Sequence, residues 1–264
     1  MTQSLQQADS LSAETATADG AALIGKSGLR LNLGAGKAQR QTGWLNCDLS
    51  PNPNIDVAFD LQGTWPFDDH SVAEMYLCHV LEHLTDATAF FREAYRCLQP
   101  NGSLLIRVPF GGHRAAWWDY THVRPWFAEN FAMLQPGYGD AAGNPQHDAF
   151  GWAFGIHLVQ LRMSYRLVRL CRKWWIRSIM KRFPNLFDSE VEELWAHVYA
   201  LKTPETIDAY RLTHNPIVVG TAYAAWKHHI EDTAPPADGV TIINLFGGES
   251  IHGYLARITS WERG

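Results

Sequence analysis

The chain has 264 residues, of which 46% are hydrophobic, 12% aromatic and 19% charged. That composition excludes an intrinsically disordered chain and supplies one large core, or one core with an embellishment. With 22 basic against 27 acidic residues the formal charge is −5, which argues against broad electrostatic binding of nucleic acid while leaving room for a local basic patch.

Residues 1–20 are mostly Gln, Ser, Thr, Ala and Asp and read as a flexible tail, with the pattern of neither a signal peptide nor a membrane anchor. No stretch approaches the roughly 20 apolar residues of a transmembrane helix, so a cytoplasmic protein is expected. Cys47, Cys78, Cys97 and Cys171 are scattered and read as small buried hydrophobes in a reducing compartment. The 11 tryptophans imply large flat contact surfaces, in the core or around a ligand.

From Leu29 to Pro109 short apolar runs alternate with turns. Strands are expected at Leu29–Leu33, Trp44–Cys47, Ile55–Phe59, Glu74–Cys78 and Ser103–Val108. Between the last two, Ala87, Phe90, Phe91, Ala94, Tyr95 and Leu98 recur at helical period, and Pro100-Asn101-Gly102 turns into the fifth strand. Strands alternating with crossovers imply α/β architecture with a mostly parallel sheet.

The second half differs. Residues 135–152 form a Gly-, Pro-, Asn- and Asp-rich excursion, and a helix is expected from Leu161 to Phe183 with eight basic residues and no acid. The acids that follow, Asp188, Glu190, Glu192 and Glu193, then Glu205 and Asp208, suggest a second helix as its cover. The basic helix could instead receive an acidic acceptor, or meet nucleic acid or an anionic surface. Thr241–Leu245 and Tyr254–Ile258 read as two closing strands. The expected division is a tail at 1–20, a core at 21–134, a helical acceptor-binding or lid region at 135–215, and a return to the sheet at 216–264.

Gly34-Ala35-Gly36 ends the first strand, where glycines let the backbone turn sharply and approach a ligand. Asp48 and Asp60 end the next two strands, at the edge where open parallel sheets bind ligands; capping a turn is the plainer use of both.

These blocks, with Gly43-Trp44-Leu45-Asn46-Cys47-Asp48, Trp65-Pro66-Phe67-Asp68-Asp69, His79-Val80-Leu81-Glu82-His83-Leu84 and Pro100-Asn101-Gly102, resemble class I S-adenosylmethionine-dependent methyltransferases over residues 29–110. The resemblance implies a Rossmann-like sheet and S-adenosylmethionine as cofactor. By it, Gly34, Ala35 and Gly36 pass beneath the methionine part, Asp48 holds the ribose, Asp60 and Leu61 lie at the adenine, and Cys78 and His79 face the methyl-transfer site. The usual third glycine falls on Ala38, and only eleven residues separate Gly36 from Asp48. That spacing marks a branch with a shortened first helix. It also weakens a dinucleotide reading, because a pyrophosphate wants a helix amino terminus behind the loop.

His79-Val80-Leu81-Glu82-His83 also matches the His-x-x-Glu-His pattern of zinc peptidases, which would pair the two histidines on one helix face with Glu82 as base. It begins directly after a strand and no third ligand is identifiable, so no metal is expected; His83 reads as packing or capping. Downstream, Asp119, His122 and Arg124 could serve as orienting carboxylate, base and anion clamp above the same crevice, or as a turn cap, a backbone-satisfied imidazole and the carboxylate's ion-pair partner. The expected activity is methyl transfer to oxygen or nitrogen of a small-molecule or glycan-like acceptor. The alternatives are a nucleic-acid methyltransferase and a non-catalytic scaffold subunit.

Overall fold

A computed structural model describes residues 25–37, 43–136, 150–163, 173, 175, 178–179 and 191–213. Seven strands form one sheet: β1 (Leu29–Leu33), β2 (Leu45–Asp48), β3 (Val57–Ala58), β4 (Val72–Cys78), β5 (Leu98–Pro109), β6 (Phe154–Met163) and β7 (Val191–Ala200). Their spatial order is β3-β2-β1-β4-β5-β7-β6. β1 through β5 pair in parallel, and β7 runs antiparallel between β5 and β6. This is the Rossmann-like methyltransferase architecture expected from the sequence.

The central strands are buried on both faces, as parallel strands covered by crossovers must be. Leu31, Leu33, Leu77, Leu104 and Ile106 are fully buried. Helix α1 (Ala87–Cys97) starts at Asp86, whose carboxylate accepts from the Ala89 amide, and it buries Ala87, Phe90, Phe91, Ala94 and Cys97. The expected turn at Pro100-Asn101-Gly102 survives inside β5: Val72 pairs with Leu98 but Glu74 with Ser103, and Asn101 takes a left-handed φ of 61°. β3 is shorter than expected, at two residues.

Two short helices, α2 (Ala115–Trp118) and α3 (Ala128–Ala132), follow β5. Helix α4 (Pro204–Thr213) follows β7 and carries Glu205 and Asp208.

The structure corrects the second half of the reading. Leu161, Arg162 and Met163 belong to β6 and do not begin a helix, and Glu192 and Glu193 lie on β7, so neither stretch is helical at these positions, whereas Trp175, Ser178 and Ile179 are helical and Glu205 and Asp208 lie on α4. Local charge spacing suggested a helix, whereas pairing to a distant strand decides the structure: Leu161 opposes Leu194 and Arg162 opposes Glu193. The rest of the expected basic helix falls outside the described residues apart from a few positions. The 1–20 tail and the closing strands at Thr241–Leu245 and Tyr254–Ile258 also lie outside them. Among the described residues, no helix is long and apolar enough to cross a membrane.

Candidate active site

The order reverses between β1 and β4, and the carboxyl ends of β1, β2, β4 and β5 open onto the crevice where such sheets take ligands. Gly34 leaves β1 with φ +67°, and a Cβ there would stand 2.2 Å from Val80 Cγ2. Gly36, at φ +63°, has nothing within 4 Å of where its Cβ would be. One glycine is thus required by packing beneath the loop, and the other faces open space. The Ala35 amide donates to the Cys47 carbonyl, which ties the loop to β2.

Asp48 accepts from the Gly36 amide through Oδ2 (2.8 Å) and from the Ser50 amide through Oδ1 (3.0 Å). Each carboxylate oxygen has a second lone pair for a ligand hydroxyl. Asp60 is exposed and accepts from the Gln62 amide (2.9 Å), while Leu61 is buried and its carbonyl accepts from Trp65 Nε1. The turn-capping use expected for both acids is therefore real. Beneath them Asn32, Asn46 and Asp56 form a buried network in which Asp56 Oδ2 accepts from the Asn46 amide at 2.9 Å.

At the end of β4, Cys78 is a partly buried free thiol, and His79 takes a left-handed φ of 53°. His79 does not share a helix face with His83, because only Leu81–His83 are helical, as a single 3-10 turn. Instead its Nε2 meets Glu193 Oε1 at 3.0 Å and its Nδ1 meets Glu82 Oε1 at 3.3 Å. Hydrogen bonds to Glu193 and then Glu82 push its pKa up to about 10, so at neutral pH it is a cation between two carboxylates.

Arg107 completes the group, donating to both oxygens of Glu193 (3.0 and 2.9 Å) and lying 4.2 Å over the Trp195 ring. Burial would raise the Glu193 pKa, but the bonds from His79 and Trp195 and the charge of Arg107 hold it well below the usual carboxylate range. Glu193 and Arg107 escaped the sequence reading. Their signal was the register of β5 with β7, which local spacing cannot reveal.

The loop after β5 is closed at its base, since the Gly111 amide donates to the Trp126 carbonyl (2.7 Å) beside a Phe110–Trp126 bridge. It is laced onto the turn after β4: the Val123 amide donates to the Glu82 carbonyl (2.8 Å), and Arg124 donates to the Thr85 carbonyl (3.0 Å). Asp119 Oδ1 accepts from the Thr121 amide and hydroxyl, and these bonds lower its pKa. His122 Nδ1 lies 3.3 Å from the Ala116 carbonyl and its Nε2 lies 3.9 Å from Asp119 Oδ2. A carbonyl oxygen can only accept, so Nδ1 carries the proton and Nε2 presents a lone pair. The structure thus brings Asp119 and His122 together and engages Arg124 with the turn, away from the carboxylate that was its alternative partner. On the same loop Trp117, Trp118 and Tyr120 are strongly exposed, with Trp117 Nε1 donating to the Gly111 carbonyl and Arg114 lying 5.1 Å over the Trp118 ring.

A methyltransferase-domain family model matches residues 37–106. With the strand order, this gives the chain a class I S-adenosylmethionine-dependent methyltransferase-like fold. No curated protein matches the chain. Among solved structures it is similar to an S-adenosylmethionine-dependent methyltransferase from Archaeoglobus fulgidus, at 13% identity over 66% of this chain and 86% of the other with a TM-score of 0.44. It is also similar to one from Mesorhizobium loti, at 14% identity over 69% of this chain and 95% of the other with a TM-score of 0.36. At such identities neither likeness bears on the reaction or its acceptor.

Proposed function

We propose that this protein transfers a methyl group from S-adenosylmethionine to an oxygen or nitrogen of a small-molecule or glycan-like acceptor. The residues at the sheet edge fit that cofactor: the glycine loop leaves open space over Gly36, and the oriented carboxylate of Asp48 keeps lone pairs for two ribose hydroxyls. Asp48 would hold the ribose, Asp60 and Leu61 would lie at the adenine, and Gly34, Ala35, Cys78 and His79 would line the path of the methionine part. When bound, the cofactor supplies an electrophilic methyl group on a sulfonium centre.

The observation that carries the acceptor class is the aromatic loop. Trp117, Trp118 and Tyr120 leave large ring faces in solvent beside the Asp119–His122 pair. Exposed rings of this size are costly unless they meet a ligand, and flat aromatic faces suit the apolar C–H face of a sugar or another ring. His122 Nε2 would take the proton of an acceptor hydroxyl, and Asp119 would steady the imidazolium formed. Arg124, bonded to Thr85, positions the loop that carries them. Chemistry beyond that is chiefly positioning of an acceptor against the methyl carbon.

The test is calorimetry with S-adenosylmethionine on the parent and an Asp48→Ala variant, followed by transfer of radiolabelled methyl to glycan, small-molecule and nucleic-acid acceptors. Cofactor binding that the variant loses, with label entering a glycan or small molecule, is expected. Absence of cofactor binding would leave a scaffold, and label entering only nucleic acid would overturn the acceptor class.

A further inference from the structure

The turn after β4 and the loop after β5 bring a second constellation together. Glu82 and His83 sit on the turn, His122 reaches them from the loop, and one ligand-type atom from each lies within 4.8 Å of the others. We propose that Glu82, His83 and His122 form a binding site for a divalent transition metal of the zinc kind.

The donor set comes first. Two imidazoles and a carboxylate are the ligands that zinc and its first-row neighbours share, and calcium or magnesium would want oxygens throughout. Among the described residues it is the one such group of His, Cys, Asp and Glu.

The second argument is a buried carboxylate oxygen. Glu82 is 2% exposed; its Oε1 faces His79, while its Oε2 has no hydrogen-bond partner. Buried carboxylate oxygens are normally satisfied, and although His79 serves Oε1, the open Oε2 beside two imidazoles is a ready ligand atom for a metal.

The third is the shell behind the rings. His83 Nδ1 lies 3.3 Å from the Thr121 carbonyl and 3.0 Å from its hydroxyl, just as His122 Nδ1 lies 3.3 Å from the Ala116 carbonyl. Both rings therefore hold their proton on Nδ1 and keep the Nε2 lone pair for a ligand. Metal-binding histidines are held in this way, with the distal N–H on a carbonyl or carboxylate. The ring centroids are 4.8 Å apart. Ligands about 2.1 Å from one tetrahedral ion stand about 3.4 Å from each other, so the trio needs side-chain shifts on the order of an ångström to close on one.

This trio is not the one that the His-x-x-Glu-His spacing suggested. His79 is taken by Glu193, and the third ligand comes from His122, 39 positions after His83. The inference deepens the proposed acceptor reading and rests on it only for the metal's role. With the metal bound, the His122 lone pair would be a ligand and no longer a base. The metal would take over that role by making an acceptor hydroxyl ionise more readily, its proton leaving to water. Metal binding itself does not depend on that reading.

The experiment uses chelator-stripped full-length protein titrated with zinc chloride by calorimetry, with S-adenosylmethionine binding measured in parallel. One equivalent of zinc is expected, with affinity falling by at least about tenfold in His83→Ala and in His122→Ala and unchanged in His113→Ala. Because a variant could fail to fold, the parent protein is also treated with diethyl pyrocarbonate and mapped by mass spectrometry; zinc should shield His83. No saturable zinc binding, or binding that leaves His83 as reactive as before, overturns the metal site. Zinc binding without cofactor binding sinks the methyl-transfer reading alone, and the reverse sinks the metal site alone.

Discussion

Gly34 and Val80 are in contact across the site: a Cβ on Gly34 would stand 2.2 Å from Val80 Cγ2, with its backbone at φ +67°. Gly34→Ala therefore meets both a steric and a conformational penalty, about 1–3 kcal/mol together. Val80→Ala should relieve the steric part and leave the rest. Urea unfolding of the two single variants and the double variant gives the coupling, and additive losses would show that Val80 is not the obstacle.

The cation at His79 makes stability depend on pH. Its pKa in the folded protein is raised to about 10, so the stabilisation is complete below the unfolded value near 6.5 and is lost as pH rises toward 10. Melting temperature should fall across that interval more steeply in the parent than in His79→Gln. Parallel profiles would mean that the bridge to Glu193 and Glu82 does not hold in solution.

His197 works in the opposite sense. Burial, with the nearby His157, lowers its pKa to about 3, so between pH 6.5 and 3 the unfolded chain binds a proton that the folded one refuses. Stability should decline as pH falls through that window, by at most about 1.4 kcal/mol per pH unit. Denaturant midpoints at a series of acidic pH values, compared with those of His197→Gln, isolate this slope.

Much of the first half was legible because its signals are local. The apolar runs Leu29–Leu33 and Glu74–Cys78 end at glycine or polar residues, and the Phe90, Phe91 and Ala94 spacing belongs to a helix capped by Asp86. The site's second wall was not legible. Glu193 meets Arg107 across 86 positions of chain, and the strand that delivers it contains Glu192, Glu193 and His197, which alone read as polar and helical. His122 was singled out, but its proximity to His83 depends on how the loop folds back over the turn, which no spacing encodes.

The buried Asn32–Asn46–Asp56 network beneath β2 should behave as a unit. Asn46→Ala removes the Nδ2 donor to Asp56 and the acceptor for Asn32 while keeping the backbone amide's bond to Asp56, leaving buried groups open at a cost of about 1–3 kcal/mol. Chemical denaturation measures the loss, and a cost near zero would mean that water replaces the side chain.

Trp118 offers a readout confined to the acceptor. Its ring is 69% exposed, so Trp118→Ala should barely change stability. Under the proposed reaction it should raise the acceptor KM several-fold, about 1 kcal/mol of lost stacking, with cofactor affinity unchanged. A loss in kcat alone would place the ring elsewhere in the cycle.

The bridge between Phe110 and Trp126 pins the two feet of the intervening loop together, so the stretch carrying the tryptophans, Asp119 and His122 hangs from the sheet as a closed cassette. Its closed base leaves the register of β5 against β4 and β7 to the strands themselves, while its bonds to Glu82 and Thr85 tie it to the turn after β4. Under the proposed reaction, exchanging the exposed residues of this one segment would change the acceptor while Asp48 and the glycine loop stay in place.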